Sequence, residues 1–143
     1  MRNDRAARAY LGDAEIILGE ARESLRAGHS HRVIRKCQEA AELAIKGLFR
    51  LWGVEQPKSH LLGRAIRREL VRQKALNSET ADRLASDADS LALDREPAFY
   101  GSPEGVPAGE LFEREDAEEA LEKASRALSI VRDAFTRYRQ GPP

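Results

Sequence analysis

The chain has 143 residues, 24 Lys plus Arg against 24 Asp plus Glu, and a single cysteine. That length suits one domain with a full core, 41% hydrophobic content excludes disorder throughout, and a lone Cys37 excludes an intrachain disulfide or a Cys-based zinc cluster. No apolar run approaches the roughly 20 residues of a membrane span, and Arg2, Asp4, Arg5 and Arg8 replace any secretory h-region after Met1, so a cytoplasmic chain without membrane contact is expected.

From Asp4 to Ala27, Tyr10, Leu11, Ala14, Ile17, Leu18, Ala21 and Leu25 recur at the three-and-four spacing of one helix face, and Gly28 is a natural stop. Ser30 is placed to cap a second helix running to about Trp52, with Val33, Cys37, Ala40, Ala41, Ala44, Ile45 and Leu48 inward and Gly53 closing it. An apolar face so broad and so rich in alanine predicts a central helix. Ser59 offers a cap for a third helix through about Lys74, built on Leu62, Ala65, Ile66 and Leu70. After Asn77-Ser78, a fourth runs from about Glu79 to Leu93, with Ala81, Leu84, Ala85, Ala88 and Leu91 or Ala92 inward.

Residues 96–114 then carry Pro97, Gly101, Pro103, Gly105, Pro107 and Gly109, which predict a long flexible loop without regular helix. The last helix starts near Glu115 and repeats Ala117, Leu121, Ala124, Leu128, Val131, Phe135 and Tyr138 in a heptad-like seam, suited to packing within a bundle or across a dimer. Gly141-Pro142-Pro143 should fray. The expectation is one all-α, up-down bundle over residues 1–143, of four long helices plus shorter segments, with its core at about 6–138.

Zero net charge conceals a division: residues 1–75 carry 16 Lys or Arg against 9 Asp or Glu, and residues 76–143 carry 8 against 15. The acidic half can fold onto the basic half and neutralise it; otherwise the basic half invites phosphate or an acidic partner. Arg64, Arg68 and Arg72, four residues apart, make a basic stripe that suits a nucleic-acid backbone or a partner surface, or a merely solvated face.

The run from Cys37 to Val54, with Gln38, Glu42 and Lys46 at four-residue steps, followed by Gly53, Pro57, Lys58 and His60, resembles the HEPN domain family. These are helical, nucleotide-binding domains of prokaryotes and higher eukaryotes. Asp94-Arg95-Glu96-Pro97-Ala98-Phe99-Tyr100-Gly101 and the helix opened by Asp116 extend the resemblance over about residues 6–135, with a departure at Leu61, where many relatives carry Asp. The resemblance implies a homodimer, and in prokaryotes a small nucleotidyltransferase as partner, in some cases as a toxin–antitoxin pair. Many relatives are ribonucleases in which an Arg and a His four to six residues later work across the dimer cleft, the His moving the 2′-hydroxyl proton and the Arg steadying phosphate charge.

The resemblance puts Arg95 at that Arg position, but Tyr100 stands where the His belongs. A phenol, with a reference pKa of about 10, is a poor base at neutral pH. A binding domain that holds nucleotide or RNA phosphate, without a metal or cofactor, is therefore expected, with Arg95, Tyr100, Lys46, Lys58 and His60 as its candidate groups. A ribonuclease using Arg95 and a displaced His60 is the second reading, and a purely structural dimer seamed by the last helix is the third.

Each candidate also has an ordinary reading. Lys46 can pair with Glu42 one turn back, His60 can fix its turn, and Arg95 can pair with Asp94 or Glu96 while Phe99 and Tyr100 anchor the loop. Cys37 and Trp52 read as packing. His31 follows Arg26 at the family's spacing, with His29 beside it, but in the first interhelical turn, and two His alone are weak metal ligands.

Overall fold

A computed structural model describes residues 2–139, and Gly141-Pro142-Pro143 lie outside the described residues. The elements are α1 (Arg2–Arg26), α2 (Ser30–Leu51), α3 (Gly63–Ala65) running into a π-helical turn (Ile66–Leu70), α4 (Ser78–Leu93), α5 (Arg95–Tyr100), α6 (Ala108–Leu111) and α7 (Arg114–Arg139). No strand occurs among the described residues, and no helix there is long and apolar enough to cross a membrane.

The broad alanine face does place α2 at the centre, packed on α1, α7, α4, α5 and α6. Val33, Ile34, Cys37, Ala40, Ala41, Ala44, Ile45, Leu48 and Phe49 are all essentially inaccessible. Gly47 lets the α1 backbone close in: a Cβ there would stand 3.1 Å from the Ala7 carbonyl oxygen and 3.1 Å from the Tyr10 Cβ. The seam of α7 is spent inside the chain, with Ala117, Ala124, Leu128, Val131 and Phe135 buried and Leu121 and Tyr138 partly so. It is not an open face for a second copy. Trp52 meets Tyr138 edge-on at 4.8 Å between ring centroids, which is packing. Burial pushes the Cys37 thiol up to about 12, so it stays an inert core residue.

Four expectations change. Ser30 is the first helical residue rather than the cap of α2, and His29 precedes it without a side-chain cap bond. The third helix begins at Gly63, not Ser59: the Ser59 hydroxyl accepts from the Leu61 N–H at 3.0 Å, while Asp89 of α4 reaches across to accept from the Gly63 N–H at 2.9 Å. A cap borrowed from a distant element leaves no local sequence signal.

The π turn at Ile66–Leu70 breaks the four-residue period on which the Arg64, Arg68, Arg72 stripe depends. Residues 96–114, expected as loop, hold α5 and α6. Pro97 is the third residue of α5, inside the first turn, where its missing N–H has no intrahelical partner to lose.

Helix α5 is closed by Gly101, whose φ of 81° is a glycine conformation and whose Cβ, if present, would lie 2.2 Å from the Val106 carbonyl oxygen. Gly101→Ala is therefore expected to destabilise the fold by roughly 1–3 kcal/mol from backbone strain alone, read as a lower urea midpoint. A midpoint equal to wild type would contradict the assignment.

Candidate functional site

The second helix carries Gln38, Glu42 and Lys46 up one face, and the chain beyond Gly53 returns alongside them. Gly53 takes φ 70°, and the Val54 N–H bonds back to the Phe49 carbonyl at 2.8 Å, ending α2 and turning the chain toward Gln56 and His60. Gln56 then donates to the Lys46 carbonyl at 3.3 Å. Short α5 supplies Arg95 from the other side.

These side chains join in one hydrogen-bonded chain. Glu42 accepts from Lys46 Nζ at 2.8 Å, from Gln38 Nε2 at 2.7 Å, and meets His60 Nδ1 at 2.8 Å. The other end of the Gln38 amide, Oε1, accepts from Arg95 Nη1 at 2.9 Å. Arg95 thus rests on a neutral amide, and neither Asp94 nor Glu96 takes the part the sequence offered them. Its guanidinium carbon also lies 5.2 Å from the Phe99 ring centroid, while that of Arg35 lies 3.6 Å from it.

The two aromatic residues divide. Phe99 is held beneath two guanidinium groups, whereas Tyr100, 5.8 Å from it, is 81% exposed. Tyr100 points to solvent.

Burial alone would raise the Glu42 carboxyl, but hydrogen bonds from Lys46, Gln38 and His60 outweigh it and hold the group below its ordinary 4.5. A carboxyl lowered in the folded state stabilises the fold above its unfolded value and loses that contribution as pH falls through the folded one. Glu42→Gln should therefore narrow the gap between urea midpoints measured at about pH 7 and about pH 3. An unchanged gap would show that Glu42 is not linked to folding.

One groove is walled by this network, and a second adjoins it at Gln56. The first, of about 450 Å³, is lined by Tyr10, Gln38, Glu42, Lys46, Gln56 and Arg95, among others. The second, of about 780 Å³, is lined by Gln56, Pro57, Lys58, Leu61, Arg64 and Arg68, among others. Gln56 borders both. His60 joins the network through Glu42 but lines neither groove, and Lys58 belongs to the second. The basic stripe is divided: Arg64 and Arg68 face that groove, while Arg72 lies outside its lining and pairs with Glu69, which Arg68 also reaches at 3.2 Å.

Few direct ion pairs join the two charge halves within the described residues. Among the described residues Arg67 to Asp82, at 3.2 Å, is the one ion pair from a cation of residues 1–75 to a carboxylate of residues 76–143. No group of three or more His, Cys, Asp or Glu in a metal-holding arrangement is found among the described residues, at His29 and His31 or elsewhere.

A family model described as HEPN domain matches residues 7–134. The chain belongs to the HEPN domain family. Among solved structures, TT1696 from Thermus thermophilus is similar at 27% identity, TM-score 0.74, over 90% of this chain and 97% of that one. ST0689, an archaeal HEPN homologue, shares the fold at 24% identity, TM-score 0.71, over 90% and 97%. A search of curated proteins finds no significant match. The HEPN fold and the all-α bundle expected from the sequence are thus as observed.

Sequence reasoning missed Gln38 as the acceptor for Arg95, read Tyr10 only as part of an apolar helix face, and missed Arg35 altogether. Gln38 had a signal: it is a polar residue among the inward-facing Cys37, Ala40 and Ala41. Arg35 had none, because nothing local marks a guanidinium that will cover a ring on a different helix.

Proposed function

We propose that this HEPN domain binds single-stranded RNA or nucleotide phosphate in the groove walled by Gln38, Lys46 and Arg95, and does not cut it. The observation that carries the reading is the state of Arg95: a guanidinium on the groove wall, held by a neutral amide rather than by a carboxylate. Such a group keeps its charge and most of its donors for an incoming phosphate. Lys46, already paired with Glu42, contributes less. The neighbouring groove, where Lys58 and Arg64 stand beside Glu55 and the Arg68–Glu69 pair, offers those two cations to further phosphates of the same strand. Tyr100 offers an exposed ring beside Phe99 for a base to stack on.

The reading takes a cytoplasmic homodimer as the working form, with a nucleotidyltransferase as its partner protein. The homodimer and the partner come from the family resemblance.

One observation favours the ribonuclease alternative. His60 enters the same hydrogen-bonded chain as Arg95, with Glu42 on its Nδ1 in the way a carboxylate orients a catalytic imidazole. Against it, His60 does not line the Arg95 groove. Incubating purified protein with a labelled single-stranded RNA in metal-free buffer separates the two. The strand should stay intact; cleavage abolished by Arg95→Ala and by His60→Ala would replace the binding reading with the catalytic one.

A further inference from the structure

Among the described residues two polar side chains are buried, Asp87 and Gln38. Asp87 is explained structurally by a two-pronged pair with Arg126, at 2.7 and 2.9 Å. Gln38, 2% exposed, is flanked by an anion on one side and a cation on the other. An ionised carboxylate only accepts and a guanidinium only donates. Glu42 and Arg95 therefore dictate the same amide orientation, Nε2 toward Glu42 and Oε1 toward Arg95.

The amide is a neutral spacer between opposite charges. It transmits a fixed geometry to Arg95 without transmitting the negative charge.

We infer that Gln38 is a positioning residue of the phosphate site, holding the Arg95 guanidinium in place while keeping it unneutralised, with Glu42 setting the amide's direction. The inference rests on the phosphate-binding reading above and deepens it by saying what keeps the site selective for anions. A carboxylate at position 38 would take Arg95 as a charge-assisted pair and compete with the ligand for the same N–H groups. An aliphatic residue there would leave Arg95 without its acceptor and Glu42 short of one donor. Glutamine alone among these supplies both bonds at zero charge.

Gln38→Glu makes the test specific, because it changes one atom's charge at almost constant shape. Ionised, the new carboxylate neutralises Arg95. Protonated, it donates to Glu42 and accepts from Arg95, restoring the glutamine pattern. The like charge of Glu42 favours that protonated form, while Lys46, His60 and Arg95 oppose it. Tyr10 of α1 and Glu39 of α2 also line the groove, and Arg35 of α2 lies over the Phe99 ring. They are common to both proteins, so the ratio of variant to wild type reports position 38.

The probe is a fluorescently labelled oligouridylate, whose phosphodiesters stay ionised throughout, titrated by anisotropy with wild type, Gln38→Glu, Gln38→Met and Arg95→Ala. Gln38→Glu should bind about tenfold more weakly than wild type near pH 8 and return to within about threefold near pH 5. Gln38→Met should be about threefold or more weaker at both, with no recovery. If wild type binds and Arg95→Ala does not, yet Gln38→Glu equals wild type near pH 8, or stays weak to the same degree near pH 5, the role of Gln38 is overturned and the phosphate site stands. Should Gln38→Glu not fold, Gln38→Met decides, and wild-type affinity in that variant overturns the inference. A wild type that does not hold the strand overturns the phosphate reading and this inference with it.

Discussion

Leu128→Asp should abolish folding rather than split a dimer. Leu128 is fully buried by its own chain, in the face of α7 that packs on α1, α2 and α4. An aspartate there would lose the apolar burial of the leucine, about 2–5 kcal/mol for large-to-small changes at such sites, and would add an unpaired charge or force its protonation. Together these approach the roughly 5–15 kcal/mol that holds a typical domain folded. Circular dichroism should show lost helix at room temperature, and size exclusion should show an expanded or aggregated chain. Leu121→Asp, at a half-buried position, should be milder. A helical, compact monomer from Leu128→Asp would mean that α7 is an intersubunit seam after all.

Periodicity made the long helices legible because their apolar faces are continuous in sequence. The alanine-rich inward set of α2 gave both its existence and its central place, and Gly53 marked its end through a residue that tolerates positive φ. What escaped was non-local. The cap on α3 comes from Asp89, twenty-six residues away, and the stripe of Arg64, Arg68 and Arg72 presumed a regular helix that the π turn replaces. Pro97 suggested irregular chain, since a proline's position within a helix cannot be told until the cap is known.

The site was half legible for the same reason. The Glu42 to Lys46 pair follows from four-residue spacing, as does Glu42 beside Gln38. The joining of Arg95 to Gln38, fifty-seven residues apart, requires the tertiary fold. So does the separation of Phe99, clasped by Arg35 and Arg95, from Tyr100, which is left in solvent.

Arg95→Ala carries the other large expected effect. A hydrogen bond to a charged group contributes about 1.5–3 kcal/mol, so losing the guanidinium should weaken RNA binding by about 10- to 100-fold. Lys46→Ala should weaken it less, because Glu42 already neutralises that lysine. The fold should survive Arg95→Ala, whose main loss is the Gln38 contact at a half-buried position.

The decisive measurement is the affinity of a labelled single-stranded RNA for wild type and for Arg95→Ala, titrated side by side across a range of salt. Wild type should bind with an affinity that falls as salt rises, and the variant should lose most of that affinity along with part of the salt dependence. Equal affinity and equal salt dependence in the two proteins would contradict Arg95 as the phosphate anchor.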